Sequence, residues 1–142
     1  MKKLAVFFCL IFIVLTVVAC GAPGPSLERN EWSLDSYGEQ DEPEHVLDGT
    51  RITMKFDQAK AEVSGSGGCN TYFGSYDIDG SSLSISNLAW TEMACLSPSG
   101  VMEQEQEFLS LLADAGSFKI DDDSLTITCS NGKQMHFKII SQ

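Results

Sequence analysis

The sequence predicts a mainly β fold (α+β), with one helix set against a single antiparallel sheet of about eight short strands. Three observations carry this. Apolar and polar residues alternate through most of residues 27–142, the period of a strand with one wet face. Asp79-Gly80 and Asn131-Gly132 separate neighbouring runs, and both pairs tolerate the positive φ of tight hairpins, which favours an antiparallel meander. One stretch, Val101 to Ala113, switches to helical spacing, since its apolar residues recur on one face of a 3.6-residue turn.

In chain order, Trp32 and Leu34 point opposite to Ser33 and Asp35. The acidic stretch Glu39-Gln40-Asp41-Glu42-Pro43-Glu44 reads as a loop, followed by His45. Ile52, Met54 and Phe56 alternate with Arg51, Thr53 and Lys55, and Ala61 and Val63 follow a short turn. Beyond the Asp79-Gly80 turn, Leu83 and Ile85 alternate with Ser82, Ser84 and Ser86. The helix places Val101, Phe108 and Leu112 on a stripe, with Met102 and Leu109 beside it. Pro98 fits its entry, Ser99 is the expected cap, and Glu103, Glu105 and Glu107 complement the positive end of the helix dipole. Phe118 and Ile120 form the next strand, Asp121-Asp122-Asp123 a turn, and Leu125, Ile127 and Cys129 the strand after it. Met135, Phe137 and Ile139 close the pattern, with His136 and Lys138 outward.

The N-terminus describes an export signal. Lys2 and Lys3 precede an apolar run from Leu4 that ends in Val17-Val18-Ala19-Cys20. That run is shorter than the roughly twenty residues a spanning helix needs, and small residues close it as in a cleavable signal peptide. The ending resembles the lipobox of bacterial lipoproteins, in which the cysteine receives a diacylglycerol and becomes the first mature residue. The expected organisation is a signal peptide over residues 1–19, lipidated Cys20 with a tether over 20–26, and a domain over 27–142. The expected location is extracytoplasmic, with the chain anchored to a bacterial or archaeal membrane. An uncleaved anchor would leave the domain in the same compartment.

The net charge is −11. Lys2 and Lys3 leave with residues 1–19 and no acid does, so the remainder stands near −13. Such a surface repels nucleic acid and anionic headgroups. Membrane affinity must therefore come from acyl chains, because no polybasic patch supplements them. Cys69, Cys95 and Cys129 remain for an oxidising compartment, and three thiols allow one bridge and one leftover.

The central segment runs Val63-Ser64-Gly65-Ser66-Gly67-Gly68-Cys69-Asn70-Thr71-Tyr72-Phe73-Gly74-Ser75-Tyr76, followed later by Thr91-Glu92-Met93-Ala94-Cys95 and then Met102, Gln104-Glu105 and Phe108-Leu109. Together with Trp32-Ser33-Leu34 and Met135-His136-Phe137, these residues closely resemble the META domain, the HslJ-like family of heat-inducible lipoproteins. The resemblance covers nearly all of the mature domain. It implies an open-barrel-like sheet with a helix against it, an envelope setting and a link to stress tolerance. It implies no reaction. Its motif falls here on Gly68, Cys69, Asn70, Tyr72, Gly74, Tyr76, Thr91, Met93, Cys95 and Glu105. Cys69 and Cys95 lie in the two signature segments and are the expected disulfide, with three free thiols as the alternative. Cys129 would then stay reduced, packed as a small apolar group.

Asn70 and Thr91 are expected to hydrogen-bond loop backbone. Trp32, Trp90, Phe73 and Tyr76 should fill the core or line its rim. Glu105 sits on the apolar stripe. A stripe-edge carboxylate is ordinarily solvated, and the alternative is a buried one that accepts hydrogen bonds from the glycine-rich loop. That loop is no phosphate cradle, because no Lys-Ser/Thr follows it. Neither a catalytic constellation nor metal-ligand spacing occurs around the two histidines, so no enzyme activity, cofactor or metal is expected. The expected function is that of a monomeric, membrane-anchored interaction or structural protein with an envelope protein as partner. The alternatives are a lipocalin-like carrier of a small apolar ligand inside the barrel, or an inhibitor of a secreted hydrolase acting through the acidic loop.

Overall fold

In the computed structural model, which describes residues 26–140, nine strands and one helix follow in order. They are β1 (Glu31–Glu39), β2 (Glu42–His45), β3 (Thr53–Asp57), β4 (Glu62–Ser66), β5 (Thr71–Asp79), β6 (Ser82–Trp90), α1 (Val101–Ala113), β7 (Ala115–Asp121), β8 (Ser124–Cys129) and β9 (Gln134–Ile139). The expected signal peptide, Cys20 and almost all of the tether lie outside the described residues.

All ladders are antiparallel, and the sheet closes on itself where β1 pairs with β9, Trp32 opposite Ile139 and Leu34 opposite Phe137. Eight strands thus form a barrel. The ninth, β2, is appended to β1 through Ser36↔His45 and Glu39↔Glu42. The expected antiparallel, barrel-like sheet of about eight strands with one helix is present, and the barrel is closed. Closure joins strands from opposite ends of the domain, which local periodicity cannot report. The acidic stretch expected as a loop is likewise a hairpin, since Glu42–His45 pairs with β1 and is exposed throughout.

An eight-stranded barrel is just wide enough for side chains to fill, and this one is filled. Trp32, Met54, Phe56, Tyr72, Phe108 and Phe137 are all at most 1% exposed. Phe56 meets Tyr76 edge-on at 4.9 Å between ring centroids, and Tyr72 meets Phe108 at 5.5 Å, geometry that aromatic quadrupoles favour. Phe118 is only partly buried against this core, and Phe73 lies on the outer face, half exposed. The alternation in β5 explains Phe73: Tyr72, Gly74 and Tyr76 turn inward, so Phe73 turns out.

Antiparallel alternation puts four connections at one mouth of the barrel: β2–β3, β4–β5, β6 through α1 to β7, and β8–β9. Helix α1 lies across that mouth. Its Phe108 and Leu112 are fully buried and plug the interior. Its start differs from the sequence expectation. Gly100, at φ 90°, occupies the N-cap with no side-chain cap, and Pro98 O accepts from the Val101 N–H at 3.2 Å. Ser99 does not cap. The opposite mouth is closed by the chain entering β1: Leu27 is buried, Trp32 Nε1–H donates to its carbonyl at 3.0 Å, and Tyr76 O–H donates to Glu28 at 2.7 Å.

Cys129 is buried in β8, and its thiol donates to Leu111 O at 3.3 Å. Burial pushes its pKa up to about 11, with Asp114 raising it further and Lys133 opposing. The neutral thiol is therefore favoured on folding. Stability from this group is fully present below the ordinary thiol value and is lost as pH rises towards the raised one. Iodoacetamide at pH 8 should leave Cys129 unmodified in the folded protein and modify it in urea, as read by peptide mass.

Candidate functional site

Three side chains on the inner face of α1 clamp the helix to three of the mouth loops. Gln104 Oε1 accepts from the Leu47 N–H at 2.7 Å, and its Nε2 donates to Thr50 Oγ1 at 3.0 Å, in the β2–β3 connection. Glu105 holds the β4–β5 loop. Glu107 pairs with Lys133 of the β8–β9 loop at 3.3 Å.

Glu105 is 3% exposed, so the solvated reading does not hold and the buried alternative does. Its Oε1 accepts from the N–H groups of Asn70 at 2.5 Å and Cys69 at 3.2 Å, and its Oε2 from Asn70 Nδ2 at 2.6 Å. Asn70, also buried, completes its own set. Nδ2 donates to Met93 O at 3.2 Å, while Oδ1 accepts from Thr91 Oγ1 at 2.7 Å and the Met93 N–H at 2.8 Å. Every polar atom of this buried amide is used, as burial demands. Helix, loop and the strap after β6 are therefore joined through one side chain.

The glycines before it make room. A Cβ on Gly67 would stand 2.6 Å from Glu105 Oε1, and Gly68 has φ 112°, a region side chains disfavour. Gly67→Ala should cost about 1–3 kcal/mol, the range for overpacking a filled site, read from the urea midpoint. Cys69 and Cys95 are bonded, with Cα atoms 5.9 Å apart, which ties the loop to the strap a second time.

Of the motif residues, Gly68, Cys69, Asn70, Thr91, Met93, Cys95 and Glu105 converge at the helix mouth. Tyr72 lies just below, its hydroxyl donating to Thr53 O at 2.9 Å. Gly74 sits under Leu88, and Tyr76 reaches the far mouth instead. Gln104 went unassigned from sequence, although its place three residues after Val101 on the stripe was a usable signal.

Next to this network lies an open groove of about 700 Å³. One wall is the outer flank of α1 at Met102, Gln106, Leu109, Ser110 and Ala113; the other is Leu88 and Trp90 of β6 with the strap Thr91–Ala94. Trp90 and Met93 are about half exposed and Met102 over a third. Glu92 and Glu103 stand on the lining, and no basic side chain does. The cavity is outside the barrel, not within it.

A closed antiparallel barrel, plugged at one mouth by a helix and carrying its polar network as a structural clamp, defines a small β-barrel domain with a surface groove. The chain belongs to the META domain family, whose profile matches residues 25–141. It is similar to a protein from Burkholderia xenovorans solved by NMR, at 26% identity over 82% of this chain and 85% of that one, with a TM-score of 0.66. A crystal structure of a DUF4847 family protein from Bacteroides vulgatus is similar in fold, at 18% identity, 82% and 96% coverage and a TM-score of 0.56. No curated protein matches the chain.

Proposed function

We propose that this protein is a membrane-tethered, extracytoplasmic lipoprotein that works by binding an envelope partner rather than by catalysis, with the groove between β6 and α1 as its contact. The observation that carries this reading is the groove itself. Large apolar side chains stand half exposed on walls that a buried polar network and a disulfide hold in place. Exposed apolar side chains gathered in one groove, rather than scattered singly, point to a contact site. The tether follows from the Lys2 to Cys20 pattern and the location from the tether. An envelope-stress role follows from the family resemblance.

The carrier reading draws on the groove volume, which lies in the range of small-ligand sites. Its original form needed an interior cavity, and aromatic side chains occupy that interior. The inhibitor reading draws on the exposed, acidic β1–β2 hairpin, which takes no part in the groove.

The test places a photocrosslinking residue at Trp90, and separately at outward Lys138, in the full-length protein in its own envelope. A specific adduct from position 90 and none from position 138 is the expected result. Equal or absent adducts would remove the groove from the proposal. Replacing Cys20 with Ala should abolish metabolic labelling by palmitate; retained labelling would remove the tether.

A further inference from the structure

Strand β6 carries an open edge beside the groove. The ladder to β7 contains a single pair, Ser82↔Ser117, with the Phe118 N–H donating to Ser81 O at 2.9 Å. Beyond it β7 gives way to the helix, and β6 runs on to Trp90 alone on that side. The Thr91 N–H donates to Thr71 O across the β5 ladder at 3.1 Å, and Ala89 pairs with Phe73 beyond a register shift that takes up Asn87 and Leu88, so by antiparallel alternation Ala89 faces β5 while Trp90 turns its N–H and C=O groups the other way. Among the described residues these groups meet no partner in β7, the helix or the strap. Leu88 and Trp90 also line the groove with their side chains. Main-chain and side-chain recognition thus coincide at Trp90, with the Leu88 side chain beside it.

We propose that β6 accepts an added strand from an extended, basic peptide segment of a partner protein, with an apolar side chain seated between Trp90 and Met102 and a Lys or Arg reaching Glu92 and Glu103. This rests on the groove being the contact site and names what it takes. The opposite wall runs from Met102 to Ala113, about 17 Å at the helical rise per residue, which matches about five residues of strand. Strand addition supplies affinity through the unpaired backbone and specificity through alternate side chains. Met and Trp adapt to varied apolar anchors. A lining whose charged side chains are all acidic, in a chain of net charge −11, favours a cationic partner and opposes fatty acids or anionic lipid.

The probe is a displayed library of random heptapeptides selected on the full-length protein, with Trp90→Ala as counter-selection. Selected peptides are expected to be basic, with apolar residues at alternate positions. N-methylation of alternate amides on one edge should weaken binding at least tenfold, and binding should protect the Trp90 amide from hydrogen exchange. Glu92→Lys/Glu103→Lys, two exposed changes, should weaken binding at least tenfold in low salt. Selected peptides that bind equally well when N-methylated, that leave the Trp90 amide unprotected, or that are acidic would overturn strand addition while leaving the groove as a contact. Absence of selected peptides, together with saturable oleate binding that Trp90→Ala removes, would overturn it in favour of a small apolar ligand. Absence of both, with no Trp90 crosslink, would overturn the groove reading as well.

Discussion

Glu105→Ala should lower stability by about 4 kcal/mol, in the range for removing one partner from a buried charged network. The carboxylate accepts two backbone N–H groups and the Asn70 side chain. Its loss leaves two backbone N–H groups and one hydrogen of the Asn70 amide without their acceptor in a largely buried site, each carrying a desolvation cost of about 1–3 kcal/mol that local relaxation only partly relieves. The chain has no slack for that relaxation, because the loop is held on its other side by the disulfide. Against the roughly 5–15 kcal/mol of a typical domain the effect is large, and urea denaturation with a constant slope would measure it. Glu105→Gln should cost less, about 2 kcal/mol, since one oxygen still accepts while the new NH2 faces the NH2 of Asn70. A rotation of Asn70 would not rescue it, because Oδ1 already accepts from Thr91 and Met93. Asn70→Ala combined with Glu105→Ala should cost less than the sum of the two single changes, as residues sharing one network do. Additive costs, or a Glu105→Ala protein as stable as the parent, would show that the clamp does not hold the helix.

Reduction of the Cys69–Cys95 bridge, or Cys95→Ser, should cost about 3.5 kcal/mol on the chain-entropy account of a loop this long. The bridge spans a sequence separation of 26, and the cost arises mainly in the unfolded chain. A second consequence is local. The strap carrying Met93 would then be fastened through Asn70 and a few bonds at its two ends, so its amides should exchange faster than those of β8. The midpoint of urea unfolding with and without reductant reads the first effect, and hydrogen exchange reads the second. Peptide mapping without reductant should find Cys69 and Cys95 in one linked pair and Cys129 as a thiol. An unchanged midpoint after full reduction would contradict the account.

These two fastenings separate what can be read locally from what cannot. The disulfide partners stood in recognisable signature segments, so family resemblance located them. Glu105 was visible as an anomaly, a carboxylate on an apolar stripe, but its burial depended on a loop more than thirty residues away in sequence. Gln104 carried the same anomaly and was passed over, because an amide on a helix is unremarkable until its partners at Leu47 and Thr50 are known. The groove left no local trace. Leu88 and Trp90 continue a strand whose earlier inward residues, Leu83 and Ile85, are buried, and nothing in the alternation marks where cover ends.

Periodicity and turn chemistry determined the antiparallel strands, the hairpin at Asp79-Gly80 and the helix at Val101–Ala113, because each depends on neighbours within a few residues. The same logic missed β2, a short polar segment holding Pro43 whose only cause is the free edge of β1 it pairs with. The closure of β1 onto β9, the burial of the Glu105 clamp and the open edge of β6 were decided by tertiary structure alone. In each case the outcome depends on what covers a residue, and that cover comes from distant chain segments whose position no local pattern encodes.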